Sequence, residues 1–276
     1  MKKTKSSLGS LAAAPHIVWA VLFIAAPLLF VAYYTFTNFD GTFTFENIFA
    51  LKDHIGTFTL SISLSVIATF ICFLIGYPLA YIIAKCGESS QKIMITLLML
   101  PMWTNLLIRT YSMMAIMDDG GVLNSVLEKF DLGKVHLIGT KGAVIFGMVY
   151  DFLPYMVLPI YTTISKLDIN LMEAAQDLGC NSLGVLTKVT LPLSMSGVIS
   201  GVTMVFVPSI STFYISQKLG GGTFELIGDT IERQFQNSST YNVGAAISLV
   251  MMVLVLISLA IMNKFATDEG GDEEGK

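Results

Sequence analysis

The sequence predicts an all-α membrane protein, a polytopic helical bundle with six transmembrane helices, and three observations carry that prediction. Hydrophobic residues make up 54% of the 276 and charged residues only 13%, about half the charged share of a soluble domain. Six apolar runs reach the roughly 20 residues that a bilayer core of about 30 Å requires. They are His16–Phe36, Phe58–Ala84, Ile93–Met117, Gly142–Ser165, Leu191–Ile215 and Tyr241–Phe265. Their length argues for helices, because barrel strands would alternate over roughly ten residues.

The first run follows "MKKTKSSLGS" and so imitates a leader. It outlasts an h-region of about 7–15 residues and no small-residue cleavage site follows, so residues 1–15 read as a cytoplasmic segment before an uncleaved span. Pro27 lies in that span, which is expected at the periphery. The third and fourth runs each hold one charge, Arg109 and Asp151. Pro101, Pro154, Pro159 and Pro208 are expected to interrupt spans three, four and five, since a proline leaves a carbonyl without its partner and transporters tolerate this beside cavities. Gly197 and Gly201 in "GVISG" allow close helix contact. Residues 16–265 form one membrane domain, and 266–276, acidic and Gly-rich, are expected to be disordered.

Loop cations set the orientation. With the N-terminus inside, the inner face holds Lys2, Lys3, Lys5, Lys85, Lys92, Lys166, Lys188, Lys264 and Lys276, against six cations outside. Both termini are then cytoplasmic in a multi-pass protein of the cell (inner) membrane. Cys72, Cys86 and Cys180 suggest no disulfide framework.

The same topology puts "NLMEAAQDLGCNSLGVLTKVTLP", Asn170 to Pro192, in the cytoplasm between spans four and five. Asn170 with Glu173 makes a capping-box-like start. Leu171, Ala174, Ala175 and Leu178 recur at helical spacing, Gly179 ends that turn, and Asn181 or Ser182 caps a second short helix. Pro192 then starts the next span. Two short angled helices of this kind are too brief to span and too apolar to stand alone in water, so they need a partner surface or a place in the headgroups.

The residues "EAAQDLG", nine more, then "VTLP" resemble the signature of permease subunits of ABC importers, with Val189 where isoleucine is common. The resemblance implies a type I ABC importer permease fold. It also implies that about 168–190 is a coupling helix seated in a groove of an ATP-hydrolysing subunit. Glu173, Ala174, Ala175, Asp177, Gly179, Leu191 and Pro192 are the ATPase-coupling positions it assigns. The stretches "GYPLAYIIAK", "PMWTNLLIRTY", "YMVLPIYTTISKLD", "FYISQKLGGG" and "GAAISL" are similar to polyamine permeases, nearest to the B-type permeases of spermidine/putrescine importers.

A polyamine is a chain of ammonium groups spaced by methylenes, so its path needs carboxylates, aromatic faces worth about 0.5–2 kcal/mol each and apolar stretches. Trp103, Asn105, Asp151, Tyr155 and Tyr214 are the pathway candidates. An acid within a span costs roughly 2.5–3.5 kcal/mol, so Asp151 should face a cavity or a partner. It stands four residues from Tyr155 on one helical face. It either contacts cargo or forms a structural ion pair with Arg109, itself a poor contact for a cation. The outer loops carry ten acids against six cations, a sign that enriches cations near the mouth.

No G-x-x-x-x-G-K-[ST] occurs, so ATP and magnesium are expected on a partner ATPase and no cofactor on this chain. His16, His54 and His136 are scattered without ligand spacing, and no metal site is expected. Neither is a G-x-S-x-G nucleophile present, so the chain reads as a permease and no enzyme. The expected partners are a second homologous permease, ATPase subunits, an extracytoplasmic polyamine-binding protein and membrane lipid, with no nucleic acid. The rival readings are an ion-gradient-driven secondary transporter, an ABC permease for another small solute, and a membrane scaffold. The secondary transporter would call for internal repeats and several paired charges within the spans.

Overall fold

Apolar length sets the spans, and local capping decides where they stop. The computed structural model describes residues 15–270, with side chains through residue 264. The expected N-terminal segment with Lys2, Lys3 and Lys5, and residues 271–276 of the acidic tail, lie outside the described residues.

Described elements run in order α1 (Pro15–Thr35), α2 (Ile55–Lys85, after the short turns Glu46–Phe49 and Ala50–His54), α3 (Glu88–Trp103) and α4 (Leu106–Met117). Then come α5 (Val122–Lys129), α6 (Lys141–Ile164), α7 (Ile169–Asp177) and α8 (Ser182–Leu193). The chain continues with α9 (Met195–Ser211), α10 (Tyr214–Leu219), α11 (Ile227–Gln236) and α12 (Tyr241–Gly270). The all-α class therefore holds; among the described residues, extended backbone pairs only at the bridge between Thr37 and Phe43. α12 carries helix past Phe265 to Gly270, into the stretch expected to be disordered.

Four helices are long and apolar enough to cross a membrane, and six spans result if each of two bent pairs counts as one. Those bent pairs correct the expected continuous third and fifth spans. α3 and the segment Leu106–Lys129 meet at 92°, and α8 and α9 meet at 73°. Of the prolines expected to interrupt spans, only Pro101 lies beside a break, ahead of Thr104. Pro154 and Pro159 sit inside an unbroken α6, and Pro208 inside α9. The first break falls at Thr104 and Asn105, both extended, where Asn105 Oδ1 accepts from Leu107 N at 2.8 Å and so caps a new helix. The second falls at Ser194 (φ −100°, ψ 9°). Leu191 and Pro192 consequently end α8 instead of opening the following span.

The chain divides into two units. The smaller combines residues up to Ile55 with Thr230–Leu254. In it, Asn47 Nδ2 donates to the carbonyls of Thr35 (3.1 Å) and Thr37 (3.0 Å), and Asn242 Nδ2 donates to the same Thr37 carbonyl. Tyr241 packs edge-on between Tyr34 and Phe235 at 5.0 and 4.8 Å. The apolar window of α1 has none of its residues buried, and only Thr35 at the end of the helix is fully covered.

The larger unit comprises Gly56–Asp229 and α12 from Val255. Its centre is α6, with 56% of its apolar window buried. One core cluster joins Leu64 and Ala68 of α2, Met113 and Met117 of α4, Val144 and Met148 of α6, and Ile215 and Leu219 of α10. A second joins Cys72, Tyr77 and Ile83 of α2, Met156, Val157 and Ile160 of α6, and Val198 and Val205 of α9. The glycines of "GVISG" bring α9 onto α6. A Cβ at Gly197 would stand 2.8 Å from the Pro159 carbonyl, and one at Gly201 3.0 Å from that of Met156. Neither position has room for a side chain.

Candidate functional site

The segment after α6 is built as an exposed arm. α7 starts on Asp168, whose Oδ1 accepts from Asn170 N at 3.0 Å. This corrects the expected Asn170–Glu173 capping pair: the acceptor two residues earlier takes the orphan amide first. Gly179 closes the helix as anticipated, at φ +87°, with Gly179 N bonded to Gln176 O (2.8 Å) and Cys180 N to Ala175 O (3.0 Å). That paired pattern needs a left-handed residue, which glycine supplies without strain. Asn181 Oδ1 then caps α8 through Gly184 N at 2.8 Å.

The arm leaves its chemistry on the surface. Glu173, Ala174, Asp177, Gly179 and Pro192 are exposed, while Ala175 and Leu191 are half-buried. Leu171 and Leu183 are exposed too, and Leu178 is 87% exposed. Each such leucine left in water forgoes roughly 1.5–3 kcal/mol of burial. The arm thus presents uncovered apolar groups flanked by exposed Glu173, Asp177 and Lys188.

The arm joins the bundle at Ser194. Here Ser194 N still bonds Thr190 O (2.9 Å) and Ser194 O still accepts from Val198 N (3.1 Å), so the turn bends without losing its ladder. Its hydroxyl meets Tyr77 Oη of α2 at 2.9 Å, with both residues buried.

The pathway candidates separate into distinct places. Asp151 is 2% exposed and lies against Arg109, Oδ1 to Nε at 2.5 Å. The two meet as charges in contact without an aligned hydrogen bond, and Asp151 Oδ2 has no hydrogen-bond partner. Arg109 also donates from Nη1 to the Pro101 carbonyl at 2.7 Å and lies 5.8 Å from the Tyr150 ring centre. The guanidinium thus ties α4 to α6 and to the last turn of α3 across the bend. Of the two roles open to Asp151, the geometry supplies the ion pair. Its neighbour four residues on, Tyr155, turns partly outward and packs on Phe152 at 6.4 Å.

Trp103 ends α3 at 70% exposure, and Asn105 serves as the cap of α4. Neither is brought to Asp151 by a hydrogen bond or ring contact. Tyr214 opens α10 and meets Tyr111 of α4 edge to face at 6.2 Å, with the Lys218 ammonium lying over both rings. Sequence reading singled out neither Tyr111 nor Lys218. The available signal was the spacing of Tyr214 and Lys218, four apart on one helical face. Beside Arg109 lies an open cavity of about 370 Å³, lined by Thr104, Ile108, Ser112, Phe146 and Tyr150 among others.

The profile of the family described as "Binding-protein-dependent transport system inner membrane component" matches residues 10–267. The chain is similar to the spermidine/putrescine transport system permease protein PotB of Haemophilus influenzae, 36% identical over 255 residues and 88% of each chain. The protein of the same name in Escherichia coli K12 is 35% identical over 253 residues, 88% of this chain and 92% of that one. Among solved structures, a chain of a bacterial ABC transporter that imports the acidic polysaccharide alginate superposes with TM-score 0.80. It covers 95% of both chains at 18% identity, a likeness of fold alone.

Proposed function

Because the chain belongs to the family of binding-protein-dependent transport system inner membrane components, we propose that it is one half of the membrane path of an ATP-driven importer whose cargo is a polyamine such as spermidine or putrescine. The single observation carrying the cargo is similarity to spermidine/putrescine permeases along nearly the whole membrane domain. A second, homologous permease completes the path. ATPase subunits that bind ATP and magnesium lie beneath it, and an extracytoplasmic binding protein delivers the amine. In this reading both termini and the α7–α8 arm face the cytoplasm.

The mechanism follows from the arm. ATP-driven closure of the ATPase pair displaces α7, whose exposed leucines and alanines fill a groove on that subunit. α8 passes the displacement to Ser194, and α9 carries α6 with it because Gly197 and Gly201 hold the two backbones together. The spans then rock between outward-open and inward-open states. This chain does no bond chemistry; it converts a push in water into a change of access.

Reconstitution of the chain with its co-expressed partner subunits in proteoliposomes tests this reading. ATP-dependent uptake of radiolabelled spermidine, competed by putrescine, is the expected result. Ion-driven uptake by this chain alone would replace the importer reading. In the same vesicles, Ala175→Cys should crosslink to the ATPase subunit; no such adduct would remove the docking role of α7.

A further inference from the structure

We propose that Lys218 is a tethered stand-in for the cargo: its ammonium holds an aromatic seat, formed by Tyr111 and Tyr214, that an incoming amine takes over during transport. The proposal rests on the polyamine reading above and deepens it. Lys218 Nζ lies 5.2 Å from the centre of the Tyr111 ring and 5.8 Å from that of Tyr214, both within cation–π range. The rings stand nearly perpendicular to each other, at 79°, so they present two differently oriented walls to one cation. Among the described residues no carboxylate comes within ion-pair distance of Lys218. The two rings and the Tyr111 hydroxyl hold the charge, a set of neutral contacts that exchanges more readily than an ion pair.

The likeness of guest and host is chemical. A lysine side chain is a primary ammonium on a four-methylene stem. An aliphatic polyamine ends in the same group on a stem of similar length, so a seat that accepts one accepts the other. Both cannot stay, because like charges repel at that distance. The amine must therefore displace Lys218, whose half-buried side chain has a free stem on which to swing away.

The seat itself is fixed. On the opposite side of α10, Ile215 and Leu219 press so closely on Gly147 of α6 that a Cβ there would stand 2.8 Å from Ile215 Cγ2. Ser216 Oγ donates to buried Asp229 at 2.9 Å, and Leu226 N donates to its other oxygen at 2.8 Å. The helix is pinned on the face away from Tyr214 and Lys218, leaving the lysine as the movable part.

The assembled transporter in proteoliposomes, with initial uptake rates of spermidine, provides the test. Lys218→Met keeps the stem and removes the competing charge, so KM should fall roughly threefold to thirtyfold. Lys218→Arg, still cationic, should keep KM near the native value. Tyr214→Ala should raise KM by a similar factor and Tyr214→Phe should not, because the ring is what binds. KM reads independently of how much variant assembles. An unchanged or raised KM in Lys218→Met overturns the stand-in while leaving the amine cargo intact. A native assembly that takes up no amine overturns the cargo and this role with it.

Discussion

At the bend between α3 and α4 the chain adopts extended geometry for two residues; at Ser194 it turns by 73° with a single residue out of helical geometry. The first bend is heavily tied. The Pro101 carbonyl accepts from both Thr104 Oγ1 and Arg109 Nη1 at 2.7 Å, Asn105 caps the new helix, and the Arg109–Asp151 pair locks α4 onto α6. The second keeps backbone bonds on either side of Ser194, whose hydroxyl meets Tyr77 Oη and the Leu191 carbonyl. Similar angles therefore carry different stiffness. Straightening the first would strand a charge in the interior, whereas opening the second costs only neutral hydrogen bonds. In the importer reading, the stiff bend would shape the path and the soft one would let the α7–α8 arm move.

The largest test of this contrast removes the charge tie. Asp151→Ala leaves Arg109 buried without its counter-ion and should cost about 3–5 kcal/mol, seen as a lower melting temperature of the detergent-purified assembly. Replacing both partners, Arg109→Met with Asp151→Leu, should recover most of that loss. Equal losses in the single and paired variants would mean that the ion pair is not what ties α4 to α6. Next in size is Gly179→Asp, which puts a side chain at φ +87° and should cost roughly 1–2 kcal/mol locally. Uptake should vanish while the amount of inserted protein stays native, as judged by membrane immunoblot. Retained uptake would free the arm from any coupling role. The smallest effect belongs to the soft bend. Tyr77→Phe should cost about 0.5–1.5 kcal/mol in stability and alter the ratio of amine imported to ATP hydrolysed. A stability loss with that ratio unmoved would make the Tyr77–Ser194 contact mere packing.

The spans and the arm were legible in the sequence for physical reasons. A run of about 20 apolar residues has few alternatives in a bilayer, and a glycine inside an otherwise helical, half-polar stretch marks a left-handed stop. The pairing of Arg109 with Asp151 was also within reach, since these are the two charges inside the expected spans. The breaks were not. Asn105 and Ser194 look like ordinary polar residues of a span, and what bends the chain there is a local cap in one case and a hydroxyl contact from α2 in the other. Prolines drew attention that caps deserved: Pro154 and Pro159 sit in an unbroken helix. The start of α7 was misplaced because two cap-competent residues, Asp168 and Asn170, stand two apart and composition does not rank them. Tyr111 and Lys218 come together only through the packing of α10 against α4, which no local pattern encodes.

The glycine seam between α6 and α9 has a mechanical corollary. At Gly197 and Gly201, α9 contributes no side chain, and Thr163 and Met156 of α6 pack directly onto its backbone. A displacement of α9 at these two glycines would bear directly on the carbonyls of Pro159 and Met156. A methyl group added at either glycine would therefore push the two helices apart.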